Sequence, residues 1–156
     1  MSWKSFWRSV GTASVFTPLA RRTVTVDRWL SRLTRGRVVA LGMAPALLLT
    51  TTGRRSGLPR QNPLQYVAEG DTYVVVGSNW GGATAPAWVH NLGDHPQATV
   101  TIGGRDVAVE AREATGDDRE QLWQAFVAQW PGYRRYRDQA QHRTIRIFRL
   151  IPVAGA

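Results

Sequence analysis

Three arginines, Arg54, Arg55 and Arg60, lie close together in one short stretch of the chain. The apolar and β-branched residues before it, 47–52, predict a buried strand, and its glycines and proline predict a hairpin turn into a second strand. Like charges this close repel one another, so solubility alone does not explain this arginine turn (residues 53–60). Its guanidinium groups, hydroxyl and exposed N–H groups suit a multiply charged anion such as phosphate or carboxylate. Taken alone, the stretch also fits a solvated basic turn without a ligand.

A second stretch that could bind a ligand runs from Val74 to Leu92 and reads VVVGSNWGGATAPAWVHNL. A strand is predicted to end in the loop GSNWGG, where short polar side chains lie beside backbone N–H groups. Because its glycines carry no Cβ, a planar ring or a charged tail can approach this loop closely. On the helix predicted next, Trp88 and Asn91 share a face with Leu92. The alternative is an ordinary flexible loop with Trp88 in the core.

Composition excludes several kinds of chemistry. With 156 residues and 43% hydrophobic content, the chain is long enough for one domain with a proper core. It has no cysteine, which excludes disulfides, thiolate catalysis and cysteine-ligated metals. His90, His95 and His142 show no metal-ligand spacing, so no metal site is expected. The sequence also lacks the glycine patterns of P-loop and dinucleotide-binding proteins.

Positive charge is concentrated at the beginning of the chain. The formal net charge is +9, and residues 1–45 hold eight cations against one acidic residue, a local charge of +7. Trp3, Phe6 and Trp7 follow helical spacing in this segment. We therefore predict two regions: a basic amphipathic arm over residues 1–44 and a globular domain over residues 45–156. Such an arm is typical of a helix lying on an anionic membrane, and packing on the core or partial disorder are the alternatives.

No segment has the roughly 18–20 apolar residues that a membrane-spanning helix needs, and the start does not resemble a signal peptide. We expect a cytoplasmic protein, peripheral at the inner face of the cell membrane if the arm binds lipid. Nucleic acid is not an expected partner, because the charge lies on a tryptophan-rich arm and not on a known binding module.

The remaining pattern alternates strands with late helices. Strands are expected from about Arg60 to Ala68, over 72–77, 99–102, 107–112 and 144–151, and helices over 86–93 and 117–130. The best helix, 117–130, begins with acidic residues and has an apolar face at Leu122, Trp123, Phe126 and Val127. Strands in this meandering order indicate an antiparallel α+β sheet or barrel rather than parallel βαβ units.

Four motifs together resemble a known family. The combination TTGRRSGLPRQNPL, GSNWGG, PAWVHNL and WPGYRRY is similar, in order and spacing, to the deazaflavin-dependent nitroreductase family of oxidoreductases. The resemblance covers roughly residues 45–152. It implies an antiparallel split β-barrel with external helices and reduced deazaflavin coenzyme F(420) as the cofactor.

The resemblance also implies roles for individual residues. The arginine turn would hold the phosphate and oligoglutamate tail of the coenzyme, and the following strand and loop would lie along its rings. The cofactor-binding residues implied in this way are Arg54, Arg55, Ser56, Gly57, Arg60, Asn62, Pro63, Val76, Gly77, Ser78, Asn79, Trp80, Gly81, Trp88 and Asn91. Trp130, Tyr133 and Tyr136 would line the acceptor pocket above the ring.

Chemistry at this site would not need a nucleophile or a metal from the protein, since a deazaflavin itself carries hydride. The protein must orient the ring, exclude water and stabilise negative charge on the acceptor. Tyr133 or Ser78 can donate that hydrogen bond, and Tyr133 or a water can deliver the proton. The sequence therefore predicts hydride transfer to a conjugated acceptor such as a quinone, an enone or a nitroaromatic.

Two departures from the resembled family put nitro reduction in doubt. The best-known nitro-reducing members have a lysine where this chain has Asn79, and a tyrosine where it has Trp130. Two alternatives also stay open: an FMN-dependent enzyme like the flavin reductases, and a non-catalytic protein that binds a cofactor or a haem-like ligand. The three arginines favour F(420), because the single phosphate of FMN does not require them all. The oligomeric state cannot be read from the sequence.

Overall fold

The structure is a computed structural model, and it describes residues 45–154. The predicted amphipathic arm, with Trp3, Phe6 and Trp7, lies outside the described residues, as does the boundary placed after residue 44. The statements below concern the globular part of the chain.

Seven strands and three α-helices make up the described chain. The strands are β1 (Ala46–Thr52), β2 (Pro59–Gln65), β3 (Val67–Glu69), β4 (Thr72–Val76), β5 (Gln97–Ile102), β6 (Arg105–Ala114) and β7 (Ile147–Pro152). The α-helices are α1 (Ala87–Asp94), α2 (Gly116–Gln129) and α3 (Tyr133–Gln139), and a single 3-10 turn spans Asn79–Gly81. Across residues 45–154, none of the helices is both long and apolar enough to cross a bilayer.

All strands pair antiparallel in one sheet of order β2-β1-β5-β6-β7-β4-β3. Four strands separate β2 from β4 in this order, yet β2 also contacts β4, so the sheet curls towards closure. The two edge strands, β2 and β3, are joined in sequence by Tyr66 alone. The Tyr66 N–H donates to the carbonyl of Pro45 at 3.2 Å, and its ring packs edge-on against Tyr73 at 5.6 Å. The fold is therefore a split antiparallel β-barrel with helices outside it, as predicted.

Helices cover the sheet through two apolar clusters. One cluster packs α2 and α3 against β4 and the start of β7, with Trp123 and Phe126 at its centre. The other packs α1 against β1, β5 and β6, with Trp88 and Val89 at its centre. The predicted apolar face of α2 is confirmed, because Leu122, Trp123, Phe126 and Val127 are all buried.

Three details of the predicted elements were wrong. The strand expected from Arg60 to Ala68 is broken at Tyr66, because the chain there passes from one edge of the sheet to the other. The closing strand begins at Ile147 rather than near residue 144, since the residues before it pack against other segments. Helix α3 was not predicted, because its sequence YRRYRDQ is mostly polar and has only two buried side chains, Tyr133 and Tyr136.

An ion network at the surface links the edge strand β3 and the strand β7 to α2. Arg149 of β7 donates to Glu69 of β3, with an Nε–Oε2 distance of 2.6 Å, and to Asp118 of α2, with an Nη2–Oδ1 distance of 2.8 Å. These hydrogen bonds from Arg149 hold the pKa of both carboxyl groups below its ordinary value. The network joins three elements that are far apart in sequence.

Candidate functional site

A cavity of about 180 Å³ lies between β2, the end of β4 and the aromatic side chains of α3. A cavity of roughly 150 Å³ in an apolar core accommodates a benzene ring, so this one has room for a single ring. Its walls are both apolar and polar, and they are formed by Asn62, Pro63, Leu64, Gln65, Val76, Ser78, Asn79, Trp80, Pro86, Trp88, Trp130, Tyr133 and Tyr136.

The arginine turn joins β1 to β2 and is shaped by its own backbone. The Gly53 N–H donates to the carbonyl of Leu58, and the Gly57 N–H donates to that of Gly53, both at 2.8 Å. Gly57 has a φ of +70° with no atom within 4 Å of the position a Cβ would take, so only its conformation favours glycine there. The Ser56 Oγ accepts from the Leu58 N–H at 3.2 Å and from Arg60 Nη2 at 3.4 Å.

The three guanidinium groups of the turn, at Arg54, Arg55 and Arg60, are exposed. Within residues 45–154, none of them is within ion-pair distance of a carboxylate, whereas Arg137 and Arg149 are. The turn is therefore a local concentration of positive charge without a counter-charge among the described residues. Such an arrangement can bind an anion without first breaking a salt bridge to any carboxylate of residues 45–154.

Asn91 connects this turn to α1. Its side chain is 5% exposed: Oδ1 accepts from the Arg54 N–H at 3.0 Å, and Nδ2 donates to the Thr51 Oγ1 at 3.1 Å. Both ends of the amide are thus engaged within the protein. The structure places Asn91 outside the cavity lining, and its geometry holds the turn against the helix.

The turn and the cavity are continuous along β2. Arg60 lies on β2 two residues before Asn62, and the rest of the strand from Asn62 to Gln65 lines the cavity. Two residues of a strand span about 7 Å, which is the scale of the step from the Arg60 backbone to the Asn62 backbone. A ligand with a flat body and an anionic tail would fit this layout.

The wall loop (residues 77–84) forms the opposite side of the cavity. Asn79, Trp80 and Gly81 have φ values of +45°, +55° and +75°, a left-handed run that is unusual for a bulky residue such as tryptophan. Gly81 lies against α3, since a Cβ there would be 2.5 Å from the Gln139 Oε1 and 3.1 Å from the Tyr136 Cα. Gly77 is equally close to α1, with its would-be Cβ 2.5 Å from the Val89 Cγ2. Close packing and backbone strain therefore fix this loop.

The segment after α3 holds the wall loop by its carbonyl groups. Arg143 Nη1 donates to the carbonyl of Gly77 at 3.2 Å, Nη2 to that of Ser78 at 2.7 Å, and Nε to that of Gly82 at 3.0 Å. His142 Nε2 lies 2.9 Å from the carbonyl of Ala83. Partial burial of the Arg143 guanidinium lowers its pKa from the ordinary arginine value.

The aromatic wall consists of Trp130, Tyr133 and Tyr136. The Tyr133 ring packs edge-on against Trp123, Phe126 and Tyr136, with centroid distances of 5.9, 5.3 and 5.2 Å. Its hydroxyl donates to Gln65 Oε1 at 3.1 Å. Burial raises the pKa of Tyr133 and also raises that of Tyr136, to about 12. Both phenols therefore stay protonated at neutral pH and can act as hydrogen-bond donors.

The structure brings together most of the residues implied by the resemblance. Ten of them line the cavity: Asn62, Pro63, Val76, Ser78, Asn79, Trp80, Trp88, Trp130, Tyr133 and Tyr136. The others do not line it: Arg54, Arg55, Ser56, Gly57 and Arg60 form the turn, Asn91 braces that turn, and Gly77 and Gly81 position the wall loop. Trp88 also packs in the core, with its ring 6.1 Å from that of Phe148.

Sequence reasoning missed Leu64, Gln65 and Pro86 in the lining, and it missed Arg143. Adjacency was a usable signal for Leu64, since it directly follows the predicted Asn62 and Pro63 on β2. No local pattern distinguishes Arg143, whose partners lie 61 to 66 residues earlier in the chain. In the described part of the chain, no cluster of three metal-ligating side chains is present.

The curled antiparallel sheet, its external helices and the cavity against it define the class of this protein as a split β-barrel. Residues 21–152 match the sequence pattern of the F420H(2)-dependent quinone reductase family. The chain belongs to this family, which is named for its dependence on reduced coenzyme F(420).

Individual relatives agree with this assignment. The F420H(2)-dependent quinone reductase Rv1261c of Mycobacterium tuberculosis (strain ATCC 25618 / H37Rv) is 36% identical over 85 residues, which cover 53% of this chain and 57% of that protein. The chain thus spans little more than half the length of this curated relative.

Two solved structures are similar over more of the fold. The F420-H2 dependent reductase FDR-A has a TM-score of 0.62 and 34% identity, covering 68% of this chain and 93% of its own. A structure described as a domain-swapped dimer has a TM-score of 0.64 and 32% identity, covering 83% of this chain and 98% of its own.

The residues present fit the assigned cofactor. The glycine at position 77 lets the backbone pass close to α1 at the cavity edge, and the cavity has room for one ring between aromatic walls. The arginine turn beside it offers three guanidinium groups that pair with no described carboxylate. A phosphorylated, carboxylate-bearing tail matches the turn in charge, and the enclosed cavity has room for one ring of a fused, flat ring system.

Proposed function

We propose that this protein transfers hydride from reduced coenzyme F(420) to a quinone. The observation that carries the proposal is the continuity of β2, which joins the arginine turn to the ring-sized cavity through Arg60 and Asn62. The cationic turn that would bind the tail and the cavity that would bind a ring are therefore neighbours along one strand. Family membership gives the reaction class, and the acceptor itself is our inference.

In this proposal, the arginine turn binds the phosphate and carboxylate groups of the tail, with Asn91 keeping the turn in place. Asn62, Pro63 and the wall loop orient the ring system and exclude water from it. Bound in this way, the reduced coenzyme supplies the hydride. The chain itself needs to contribute orientation, charge stabilisation and access to a proton.

Tyr133 and Ser78 are the groups we assign to the acceptor oxygen. A quinone gains negative charge on oxygen as hydride arrives, and a preorganised donor lowers that cost. The Tyr133 hydroxyl donates its hydrogen bond to Gln65 in the structure. It must therefore rotate away from Gln65 to donate to a quinone oxygen. Because its pKa is raised, we assign Tyr133 the donor role and assign proton delivery to water.

The wider acceptor range is less well supported. Trp130 provides an apolar ring where the best-known nitro-reducing proteins offer a hydroxyl, and Asn79 has its Nδ2 bonded to the carbonyl of Thr84 at 3.0 Å. We therefore rank quinones and enones above nitroaromatics as acceptors. An apolar ring at Trp130 suits a flat, weakly polar acceptor.

The experiment that tests this function has two steps. Fluorescence titration with F(420) and FMN, side by side, should give saturable binding of F(420) and much weaker binding of FMN. Oxidation of F(420)H2, followed by its absorbance with and without a soluble quinone, should then depend on both protein and quinone. Binding without quinone-dependent oxidation would identify a cofactor carrier, and tighter binding of FMN would favour a flavin-dependent enzyme.

Membrane association is a second element of the proposal, supported by sequence alone. Residues 1–45 carry a net charge of +7, and each cation near an anionic leaflet contributes about 1 kcal/mol to binding. An arm of this kind, separate from a domain that begins near residue 45, would bring the cavity close to lipid-soluble quinones.

Vesicle sedimentation tests the arm. The full chain should co-sediment with anionic vesicles at low salt, and a chain that starts at Pro45 should not. Salt should release it, because surface charges are screened within about 8 Å at physiological ionic strength. Equal sedimentation of both chains would remove the membrane from the proposal and leave the catalytic part intact.

A further inference from the structure

Arg143 has an unusual position for an arginine near a binding site, because all three hydrogen bonds of its side chain go to backbone carbonyl groups. Its guanidinium contacts the carbonyls of Gly77, Ser78 and Gly82 at 2.7 to 3.2 Å. Arginine can only donate and a carbonyl can only accept, so these bonds do not depend on how hydrogens are placed. Arg143 does not line the cavity. Its effect on a ligand must therefore pass through the loop that it holds.

The bonded carbonyls determine where the neighbouring N–H groups point. In a trans peptide, the C=O of one residue and the N–H of the next lie on opposite sides of the same plane. With the carbonyls of Gly77 and Ser78 turned to Arg143, the N–H groups of Ser78 and Asn79 are turned away from it. Neither N–H has a hydrogen-bond partner within residues 45–154, and both residues line the cavity.

The same contacts hold the strained part of the wall loop. Trp80 has a left-handed φ of +55°, a conformation that costs a bulky residue free energy and persists only where neighbouring contacts impose it. Arg143 donates hydrogen bonds to the loop on both sides of Trp80, at residues 77, 78 and 82. The Trp80 ring then packs edge-on against Tyr136 of the aromatic wall, with centroids 5.9 Å apart.

We propose that Arg143 is a positioning residue for coenzyme binding: it fixes the peptide planes of the wall loop and so presents the Ser78 and Asn79 N–H groups to the ligand as a donor pair. Because it also lies just beyond α3, it holds the wall loop against the helix that carries Tyr133 and Tyr136 of the aromatic wall. This inference rests on the proposed function, since it assumes that the cavity binds F(420).

The test compares two arginines of the same segment. Arg143→Gln removes the clamp, and Arg146→Gln removes a partly buried arginine whose side chain bonds to Glu113 at 2.7 and 2.8 Å, away from the cavity. The dissociation constant for F(420) and the thermal midpoint are measured for both. Arg143→Gln should weaken F(420) binding by about ten- to a hundredfold, because the loop that contacts the ligand would shift. Arg146→Gln should weaken it by less than about twofold.

A second variant reaches the same loop from the other side. Gly81→Ala places a Cβ against Gln139 and Tyr136 and should push the loop off α3, so it should weaken F(420) binding in the same direction. Arg143→Lys, which keeps the charge but not the three-way fork, should recover only part of the affinity. If Arg143→Gln does not fold, Gly81→Ala and Arg143→Lys decide the question.

The outcomes separate the two proposals. A parent protein that binds F(420), together with Arg143→Gln and Gly81→Ala proteins that bind it equally well, overturns the positioning role alone. Equal weakening in Arg143→Gln and Arg146→Gln, following their thermal midpoints, also overturns it, because a loss of general stability would then explain both. A parent protein that does not bind F(420) overturns the proposed function and this inference with it.

Discussion

The wall loop lines the cavity and the arginine turn lies beyond it along β2, and the two regions are built in opposite ways. The turn is exposed, and its three guanidinium groups pair with no described carboxylate. The wall loop is largely enclosed, and an arginine from elsewhere in the chain occupies its carbonyl groups. One region offers free charges on a simple hairpin, and the other offers backbone groups in a strained, tightly held conformation. In the function proposed above, charge would therefore select the ligand at the turn, and shape would select it at the loop.

The first prediction concerns the hydrogen bonds by which Asn91 holds the arginine turn against α1. Asn91→Leu leaves the Arg54 N–H and the Thr51 hydroxyl without their partner, so it should lower the free energy of unfolding by about 2–4 kcal/mol. It should also weaken F(420) binding by about tenfold, because the turn loses its brace. Urea unfolding and fluorescence titration measure the two effects.

Thr51→Val is the matched control for this prediction. It removes only the strand side of the Asn91 contact and keeps the bond to the Arg54 N–H, so stability should fall while affinity stays near that of the parent. Unchanged F(420) affinity in Asn91→Leu would show that the turn keeps its shape without Asn91. The turn would then differ from the wall loop, which Arg143 holds from outside.

The second prediction concerns the charges themselves. Arg55→Ala or Arg60→Ala should weaken coenzyme binding by about 1–3 kcal/mol, the usual loss for a charge-assisted contact. The loss should increase with the number of glutamates on the tail and decrease with added salt. Arg112→Ala removes an exposed arginine of β6, paired with Glu110 at 3.6 Å, and serves as the charge-matched control. Turn variants that bind no more weakly than this control would make the turn a solvated surface.

These two regions also differ in how far the sequence predicts them. Strand β1 and the hairpin depend on neighbouring residues, so glycine and proline patterns were sufficient to indicate them. The antiparallel split barrel was predicted from strand order together with the family resemblance. The roles of individual site residues remain predictions until variants are measured.

The wall loop could not be predicted to the same extent. Its shape depends on Arg143 and α3, which contact it across about sixty residues of chain, and no local pattern encodes such a pairing. For the same reason the change of edge at Tyr66 was missed, because β2 and β3 read as one continuous strand. Gln65 was missed because its role appears only when Tyr133 is placed opposite it.

The third prediction separates binding from turnover on the aromatic wall. Tyr133→Phe keeps the ring and its packing but removes the hydroxyl that donates to Gln65, so it should lower kcat by about tenfold with little change in coenzyme affinity. Because burial raises the pKa of Tyr133, the parent should show no loss of turnover from tyrosine ionisation between neutral pH and about pH 10.

Tyr73→Phe serves as the control, because Tyr73 packs on Tyr66 outside the cavity lining and should leave both constants unchanged. Equal turnover of Tyr133→Phe and its parent with every quinone tried would assign the hydrogen bond to Ser78 or to solvent.

The last and smallest effect concerns Arg149, which pairs with two carboxylates, unlike the turn arginines among residues 45–154, and does not bond to backbone carbonyls as Arg143 does. Its hydrogen bonds hold the pKa of Glu69 and Asp118 below the ordinary value, so folding is favoured by their charged forms. The stabilisation is present above the unfolded-state pKa of about 4 and is lost as pH falls through the lower folded-state values. Arg149→Met should therefore lower the urea midpoint at pH 7 and change it much less near pH 3, with F(420) affinity at pH 7 unchanged. Because these groups are mostly exposed, the difference should be small and should shrink in high salt.

A difference that is as large at pH 3 as at pH 7 would mean that Arg149 stabilises the fold by packing its stem between β3 and α2. Loss of F(420) affinity in Arg149→Met would instead extend the ligand site beyond the turn and the wall loop, and the two-region comparison would no longer describe it.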